Sequence, residues 1–404
     1  MTIISILTLG IVAATIIGVT VGRWPLLRAD RTTITLIGAA LLLGIGAMSL
    51  EEAYAALDLD TIVLLFSMMV INGSLFLAGF FGVITQRVVQ FARGPRSLLA
   101  LVIGASGVLS ALFLNDTIVL MMTPIVLDVT RTLRRNPLPY LIGLAVAANV
   151  GSTATITGNP QNIIIGSASK ISYLDFAVAL SPTALIGLVI CWIVVLLAYR
   201  DEFRGGPLTT PDVLRTRVYR PLLRKAALVI SLMLIAFLVG VPVPLAAFVA
   251  AATLLATRRL RPERVFKTID WNLLTFFAGL FVVTHALDVQ GWTAILFTNL
   301  APLAQAGMVP FGLVSVVLSN LISNVPAVLL LQSLIPAFAD QERAWLTLAA
   351  TATLAGNLTL LGSVANLIMA ELAVRWGVRV TFGAYLRVGL PVTILTVAVS
   401  LILV

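Results

Sequence analysis

Asp116 is the residue best placed to do chemistry. It lies in "LNDT" (Leu114–Thr117), in the middle of an apolar run from Leu98 to Val129. A carboxylic acid at bilayer depth is costly and is kept where it works, as a proton carrier or a cation ligand. The local alternative is a carboxylate that caps its own helix through Thr117 or later amides. Around it the sequence offers amides and hydroxyls. Asn115, Asp116 and Thr117 form one group. Ser152, Thr153, Thr155, Gly158, Asn159 and Asn162 form a second, in "GSTATITGNPQN". Ser323 and Asn324 open "SNVPAVL", and Asn357, Thr359, Gly362, Ser363 and Asn366 lie in "NLTLLGSVAN". Such groups bind a solute by hydrogen bonds. With the carbonyls beside Gly158 and Gly362, Asn115 and Asn324 could also hold Na⁺, whose preference is for oxygen.

Other reactive types are sparse. The chain has one cysteine, Cys191, and one histidine, His285. Intrachain disulfides and multi-thiolate metal sites are excluded. His285 and Asp288 are a shuttle by type, but they end a span, where a solvated outer pair is expected. Asp128 should pair with Arg131, and Glu371 with Arg375 at i and i+4. There is no HExxH and no Ser/Lys or Ser/His motif, which argues against a membrane-embedded enzyme. No catalytic residue, cofactor or structural metal is expected.

The elements that position these residues are membrane helices. The chain has 404 residues, is 60% hydrophobic and only 11% charged. A soluble domain of this length could not hide that surface, and the apolar runs suffice for about ten crossings. The net charge of +9 comes from Lys and Arg clustered between apolar runs. That is the positive-inside pattern of a multi-pass inner (plasma) membrane protein, with the lipid bilayer rather than nucleic acid as its partner. Ile3–Gly22 reads as a retained first helix.

Basic clusters fix direction. Arg23, Arg28 and Arg31 lie inside, as do Arg87, Arg93 and Arg96, and then Arg131, Arg134 and Arg135; Glu51, Glu52, Asp58 and Asp60 lie outside. Leu98–Val129 therefore has both ends inside. Each arm holds roughly 15 residues, about 23 Å, short of a crossing. This predicts a re-entrant hairpin over residues 98–129 with its tip at Asn115–Asp116. A span over 138–169 follows, broken at Gly158–Pro160. A basic loop, 200–225, carries Arg215, Arg217 and "RGGPLTTPD" and joins two halves.

The halves repeat. "LDTIVLLF" (Leu59–Phe66) parallels "IDWNLLTF" (Ile269–Phe276), "LNDTIVL" parallels "SNVPAVL", and "ATITGNPQN" (Ala154–Asn162) parallels "LTLLGSVAN" (Leu358–Asn366), at offsets of 210, 209 and 204. No Lys or Arg occurs between Lys267 and Arg343, so the second hairpin, 311–338, has its ends outside. The second broken span, 346–374, then runs inward. The expected fold is all-α, with two inverted-topology repeats, 1–199 and 226–404, joined by a cytoplasmic linker. Inverted repeats with broken helices place a transport site at the midplane. Helix N-termini near Thr117, Gln161, Pro326 and Ala365 would converge there, favouring an anionic or strongly polar solute. A passive channel is the other reading, though paired hairpin tips favour alternating occlusion.

"ALFLNDTIVLMMTPIVL" (Ala111–Leu127), "ANVGSTATITGNPQN" (Ala148–Asn162), "SNLISNVPAVLLL" (Ser319–Leu331) and "LGSVANLIM" (Leu361–Met369) resemble the ion transporter superfamily. They are similar to its arsenite permease and citrate-transporter-like branch. The resemblance implies a homodimer with a scaffold and a mobile, elevator-like transport domain. It also implies secondary transport of a small anion or oxyanion coupled to Na⁺ or H⁺, with arsenite or antimonite efflux as the alternative. The sodium-coupled dicarboxylate branch carries Ser-Asn-Thr at both tips. Here the tips read Asn115-Asp116-Thr117 and Ser323-Asn324-Val325. Arsenite permeases also carry Asn-Asp at the first tip, which makes Asp116 the expected coupling residue.

Overall fold

The computed structural model describes residues 2–21, 23–24, 29–204, 206, 218–256 and 261–404. Arg28 and, in the 200–225 linker, residues 205 and 207–217 with Arg215 and Arg217 among them lie outside the described residues. The described chain is almost entirely helical. Its one ladder is a two-residue antiparallel pairing of Arg23 with Asp30 and Trp24 with Ala29. Seven helices are long and apolar enough to cross a membrane: Ile3–Val21, Leu59–Ala78, Pro95–Leu112, Tyr173–Ala198, Arg220–Leu238, Trp271–Val289 and Phe382–Leu403. On Tyr173–Ala198 the residues Leu185, Val189, Ile193 and Leu197 are all exposed. Their spacing of four makes one apolar stripe, the face a helix gives to lipid.

Both hairpins form. The first has arms Pro95–Leu112 and Asn115–Thr132 around Phe113–Leu114. Its arms have 18 residues each, about 27 Å, so they are longer than the sequence reading allowed, and Pro95–Leu112 is by length and composition able to cross a membrane. The added length comes from Pro95, at the first turn where proline is tolerated, and from the extension to Thr132 past Asp128. The second hairpin runs Met308–Ile322 and Asn324–Leu331, followed by a 3₁₀ turn at Gln332–Ala337. At its tip Ser323 has φ +76° and ψ 155°, a region nearly reserved for glycine and worth roughly 1–3 kcal/mol of strain.

Both broken spans form as well. The first helix, Pro137–Ser152, ends six residues before the expected stop at Gly158. Thr153–Asn159 is the break, and Pro160 starts the second half, Pro160–Ser169. In the second repeat Gln341–Ala355 stops before Gly356–Ser363, and Val364–Arg375 continues. Every residue from Pro139 to Ser152 is buried, so this half-helix is the centre of the bundle. Its closest approach is to the first hairpin arm, where a Cβ on Gly151 would lie 2.1 Å from the Gly107 carbonyl oxygen.

Some local expectations fail for visible reasons. The run Thr61–Ile84 is not one helix, because Gly79 takes φ +80° and starts a second helix, Phe80–Phe91. Among the described residues no ion pair joins Asp128 to Arg131 or Glu371 to Arg375. Arg131 instead donates to the Trp376 carbonyl and lies 4.8 Å above the Trp376 ring. Arg135 pairs with Glu202 at 2.7 Å, which also accepts from Tyr140 Oη at 3.2 Å. Cys191 is fully buried, against the Gly143 carbonyl.

Candidate functional site

The two breaks are built alike. Asn162 donates its side-chain amide to the carbonyls of Ser152 (3.1 Å) and Thr155 (3.0 Å). Asn366 donates to the carbonyls of Gly356 (2.8 Å) and Thr359 (3.2 Å). Each position in the second set is 204 residues after its counterpart in the first. The Ser152 and Gly356 carbonyls stand where each half-helix stops inside the bundle. The Thr155 and Thr359 carbonyls lie within the breaks, where each also accepts from a backbone N–H, of Gly158 and Gly362 respectively. A buried carbonyl left unsatisfied costs about 1–3 kcal/mol. One asparagine per repeat therefore closes the gap in its own span, and this use takes both amide hydrogens.

The repeats also hold each other. Asn149 donates to the Asn366 Oδ1 at 3.2 Å and to Asn357 Oδ1 at 2.9 Å. Thr353, again 204 residues after Asn149, donates to Asn162 Oδ1 at 3.2 Å. Asn159 and Gln161 donate to Thr353 Oγ1, and Ser363 donates to Asn149 Oδ1. So the residue one turn before each break reaches the asparagine of the opposite break. Asn149 and Thr353 were not among the expected residues. They lie within apolar helices without local signal, but each is 13 residues before its break asparagine.

The expected residues divide into three groups. Asn115, Asn357, Ser363 and Asn366 share one buried network centred on the unexpected Asn149, entered by Asn115 through a 2.9 Å donation to Asn149 Oδ1. Ser152, Thr153, Thr155, Gly158, Asn159 and Asn162 are also buried but serve the first break itself. Ser152 and Thr153 hydroxyls return to the Asn149 carbonyl, Thr155 donates to the Ala111 carbonyl, and Asn159 caps the next half-helix through the Asn162 N–H. Asp116, Thr117, Ser323, Asn324 and Thr359 are only half-buried.

Asp116 does not cap its own arm. The N-cap there is Leu114, which makes no side-chain cap bond. The Asp116 carboxyl faces the Ala365 backbone N–H across the repeat boundary, with Arg31 and Asp270 as the charged side chains around it. It thus stands in the first turn of one helix and before the first turn of another, two positive ends that favour a negative group by about 1 kcal/mol each.

Of the four converging helix N-termini, three lack a side-chain cap: those following Leu114, Ser323 and Ser363. The fourth, after Asn159, is capped internally, so its positive end is not free for a solute. The glycines differ too. A Cβ on Gly158 would collide with the Ser152 carbonyl oxygen at 2.3 Å. At Gly362 the same position is surrounded by Asn320 Oδ1, the Gly356 carbonyl and the Thr359 carbonyl at 3.0–3.2 Å. These are oxygens, the donor type a hard cation takes, although the two carbonyls already accept from Asn366. His285 and Asp288 approach to 3.6 Å at a separate outer cleft. No cluster of three or more His, Cys, Asp or Glu suited to a metal occurs among the described residues.

The two repeats differ in exposure. Thr157 in the first break is fully buried, and its counterpart Leu361 is 66% exposed. All residues of the first break are buried, with Ile156 bordering a cleft that also touches Tyr173 and Phe237, whereas in the second break Leu358–Leu360 are half-buried and Leu361 is exposed.

Comparison with known proteins places this architecture. A family model described as citrate transporter matches residues 12–355. The chain is 29% identical to the silicon efflux transporter LSI3 of Oryza sativa subsp. japonica, over 93% of each chain. It is 30% identical to a 46 kDa membrane protein of Mycobacterium leprae, over 97% of each. The crystal structure of the Alcanivorax borkumensis YdaH transporter superposes on 99% of this chain and 97% of its own, with a TM-score of 0.59 at 15% identity. The last likeness is one of fold alone.

Proposed function

The chain belongs to the citrate transporter family, a multi-pass membrane transporter family, and from that premise we propose a secondary active transporter of a small oxyacid or its anion. Transport is coupled to H⁺ or Na⁺, with Asp116 as the coupling residue. The observation that carries the proposal is the reciprocal bonding of the two breaks, Asn149 to Asn366 and Thr353 to Asn162. It makes one interface from two interrupted helices, and broken helices in inverted repeats mark transport sites at the midplane. The two breaks differ in exposure, Thr157 buried and Leu361 exposed, and such an asymmetry supports alternating access. An elevator-like movement of a transport domain within a homodimer belongs to the same proposal, as does a role for the Gly362 oxygens in holding the coupling cation if it is Na⁺.

Efflux of a metalloid acid is the second reading. It is favoured by the likeness to a silicon efflux transporter along nearly the whole chain.

The test is flux in proteoliposomes. A coupled transporter accumulates solute beyond its equilibrium distribution only when a proton or sodium gradient is imposed. Flux that stops at equilibrium under every gradient contradicts coupling and identifies a passive channel.

A further inference from the structure

The direction of each amide in the central network is fixed by groups that can only accept. Asn366 donates to two backbone carbonyls and Asn357 donates to the Val146 carbonyl, so both must present their Oδ1 to Asn149. Asn149 must then donate to them and turn its own Oδ1 the other way. That oxygen accepts from Ser363 and from Asn115 Nδ2. Asn115, only 4% exposed, is left with a buried Oδ1 that has no partner among the described residues. Asn324 Oδ1, at the other tip, is likewise unpartnered.

The site therefore offers two kinds of unused group at the same tips. The side chains offer acceptor oxygens. The helix ends after Leu114 and Ser323, which have no side-chain cap, offer backbone N–H donors, while at the end after Ser363 the Ala365 N–H already faces Asp116. A fully ionised oxyanion has no donor for the amide oxygens, and a bare cation has no acceptor for the helix ends. An undissociated oxyacid has both, in its O–H groups and its lone pairs.

We propose that Asn149 is the positioning residue that turns the Asn115 carbonyl oxygen toward the solute, and that the solute is taken in its undissociated, hydroxyl-bearing form. This rests on the transporter reading above. Thr353, the counterpart of Asn149, supplies the conservative variant, since a threonine hydroxyl can accept from one neighbour and donate to another.

The experiment measures flux of silicic acid and of sulfate into proteoliposomes across pH, for the wild type and for Asn149→Thr and Asn149→Val. The wild type should carry silicic acid in proportion to its undissociated fraction, falling about tenfold per pH unit above the acid's first ionisation, and should not carry sulfate. Asn149→Thr should stay within a few-fold of wild type. Asn149→Val, its isostere without the hydroxyl, should raise KM about tenfold or more with a small change in kcat. Flux that rises with ionisation, or equal carriage of sulfate, overturns the proposed solute form. Flux that saturates with Na⁺ and ignores solute ionisation also overturns it, assigning the Asn115 oxygen to the cation. If both variants lose kcat and melting temperature together with KM unchanged, Asn149 is structural only. If Asn149→Val does not fold, the threonine variant and the wild-type pH profile still decide. Absence of gradient-driven flux of any oxyacid or oxyanion fails the transporter reading itself.

Discussion

Asn149 of the first repeat donates its side-chain amide to Asn366 Oδ1 of the second at 3.2 Å, across 217 residues of chain. The mirror bond, Thr353 to Asn162, has the same length. Two helices that each stop inside the membrane would leave carbonyls in a medium with no water to satisfy them. Here each break is stitched by its own asparagine, and that asparagine is held by the other repeat. Each interruption is thereby tied to the other.

The stitches should be energetically visible. Asn162→Ala or Asn366→Ala removes two donors to buried carbonyls, although those of Ser152, Thr155 and Thr359 each keep a second donor, so each variant should cost about 1–3 kcal/mol in total. Thermal or chemical unfolding of the purified protein measures this. Losses under about 0.5 kcal/mol for both variants, the range of ordinary surface changes, would show that the side chains are not what closes the breaks.

Asp116→Asn keeps size and hydrogen-bonding capacity but removes the ionisable group before Ala365. It should abolish or uncouple gradient-driven transport in proteoliposomes while the unfolding midpoint moves little. Full accumulation by this variant under a proton gradient would rule out Asp116 as the coupling residue.

The contact of Gly151 with the Gly107 carbonyl fixes how closely the first hairpin lies on the first broken span. Gly151→Ala should cost about 1–3 kcal/mol through overpacking. Gly104→Ala, on the same arm but with nothing within 4 Å of its Cβ, should be neutral or stabilising by roughly 0.5–1 kcal/mol, since a helix interior prefers alanine. A comparison of the two by unfolding in one detergent tests the packing. Equal effects would contradict it.

What the sequence revealed followed from punctuation. Gly158–Pro160, the Asn-rich tips and the alternation of basic clusters break a strong apolar background, so the hairpins, the broken spans and the internal repeat were all legible. Groups without contrast were not. Asn149 and Thr353 sit within one turn of the ends of regular helices, where no helix breaker marks them, and the 204-residue offset that relates Asn162 to Asn366 also relates the two of them. The helix Trp292–Ala306 escaped notice because Thr293, Asn299, Pro302 and Gln305 dilute its apolar pattern. The first parallel was shifted by two residues. The caps are Asp58, accepting from the Thr61 N–H, and Asp270, accepting from the Leu273 N–H, an offset of 212 rather than 210. Arg131 chose the Trp376 ring and carbonyl over the nearby Asp128, a long-range option that local spacing does not show.

The central claim is that the two breaks exchange roles as the protein works. With one native cysteine, Cys191, fully buried, single cysteines placed at Thr157 and Leu361 can report exposure to a membrane-impermeant maleimide applied from either side. The account predicts that Leu361→Cys reacts in the state described here, that Thr157→Cys becomes reactive from the opposite side when solute and a driving gradient are present, and that Leu361→Cys is then protected. Labelling that stays fixed at Leu361→Cys, with Thr157→Cys silent under every condition of active flux, would contradict it.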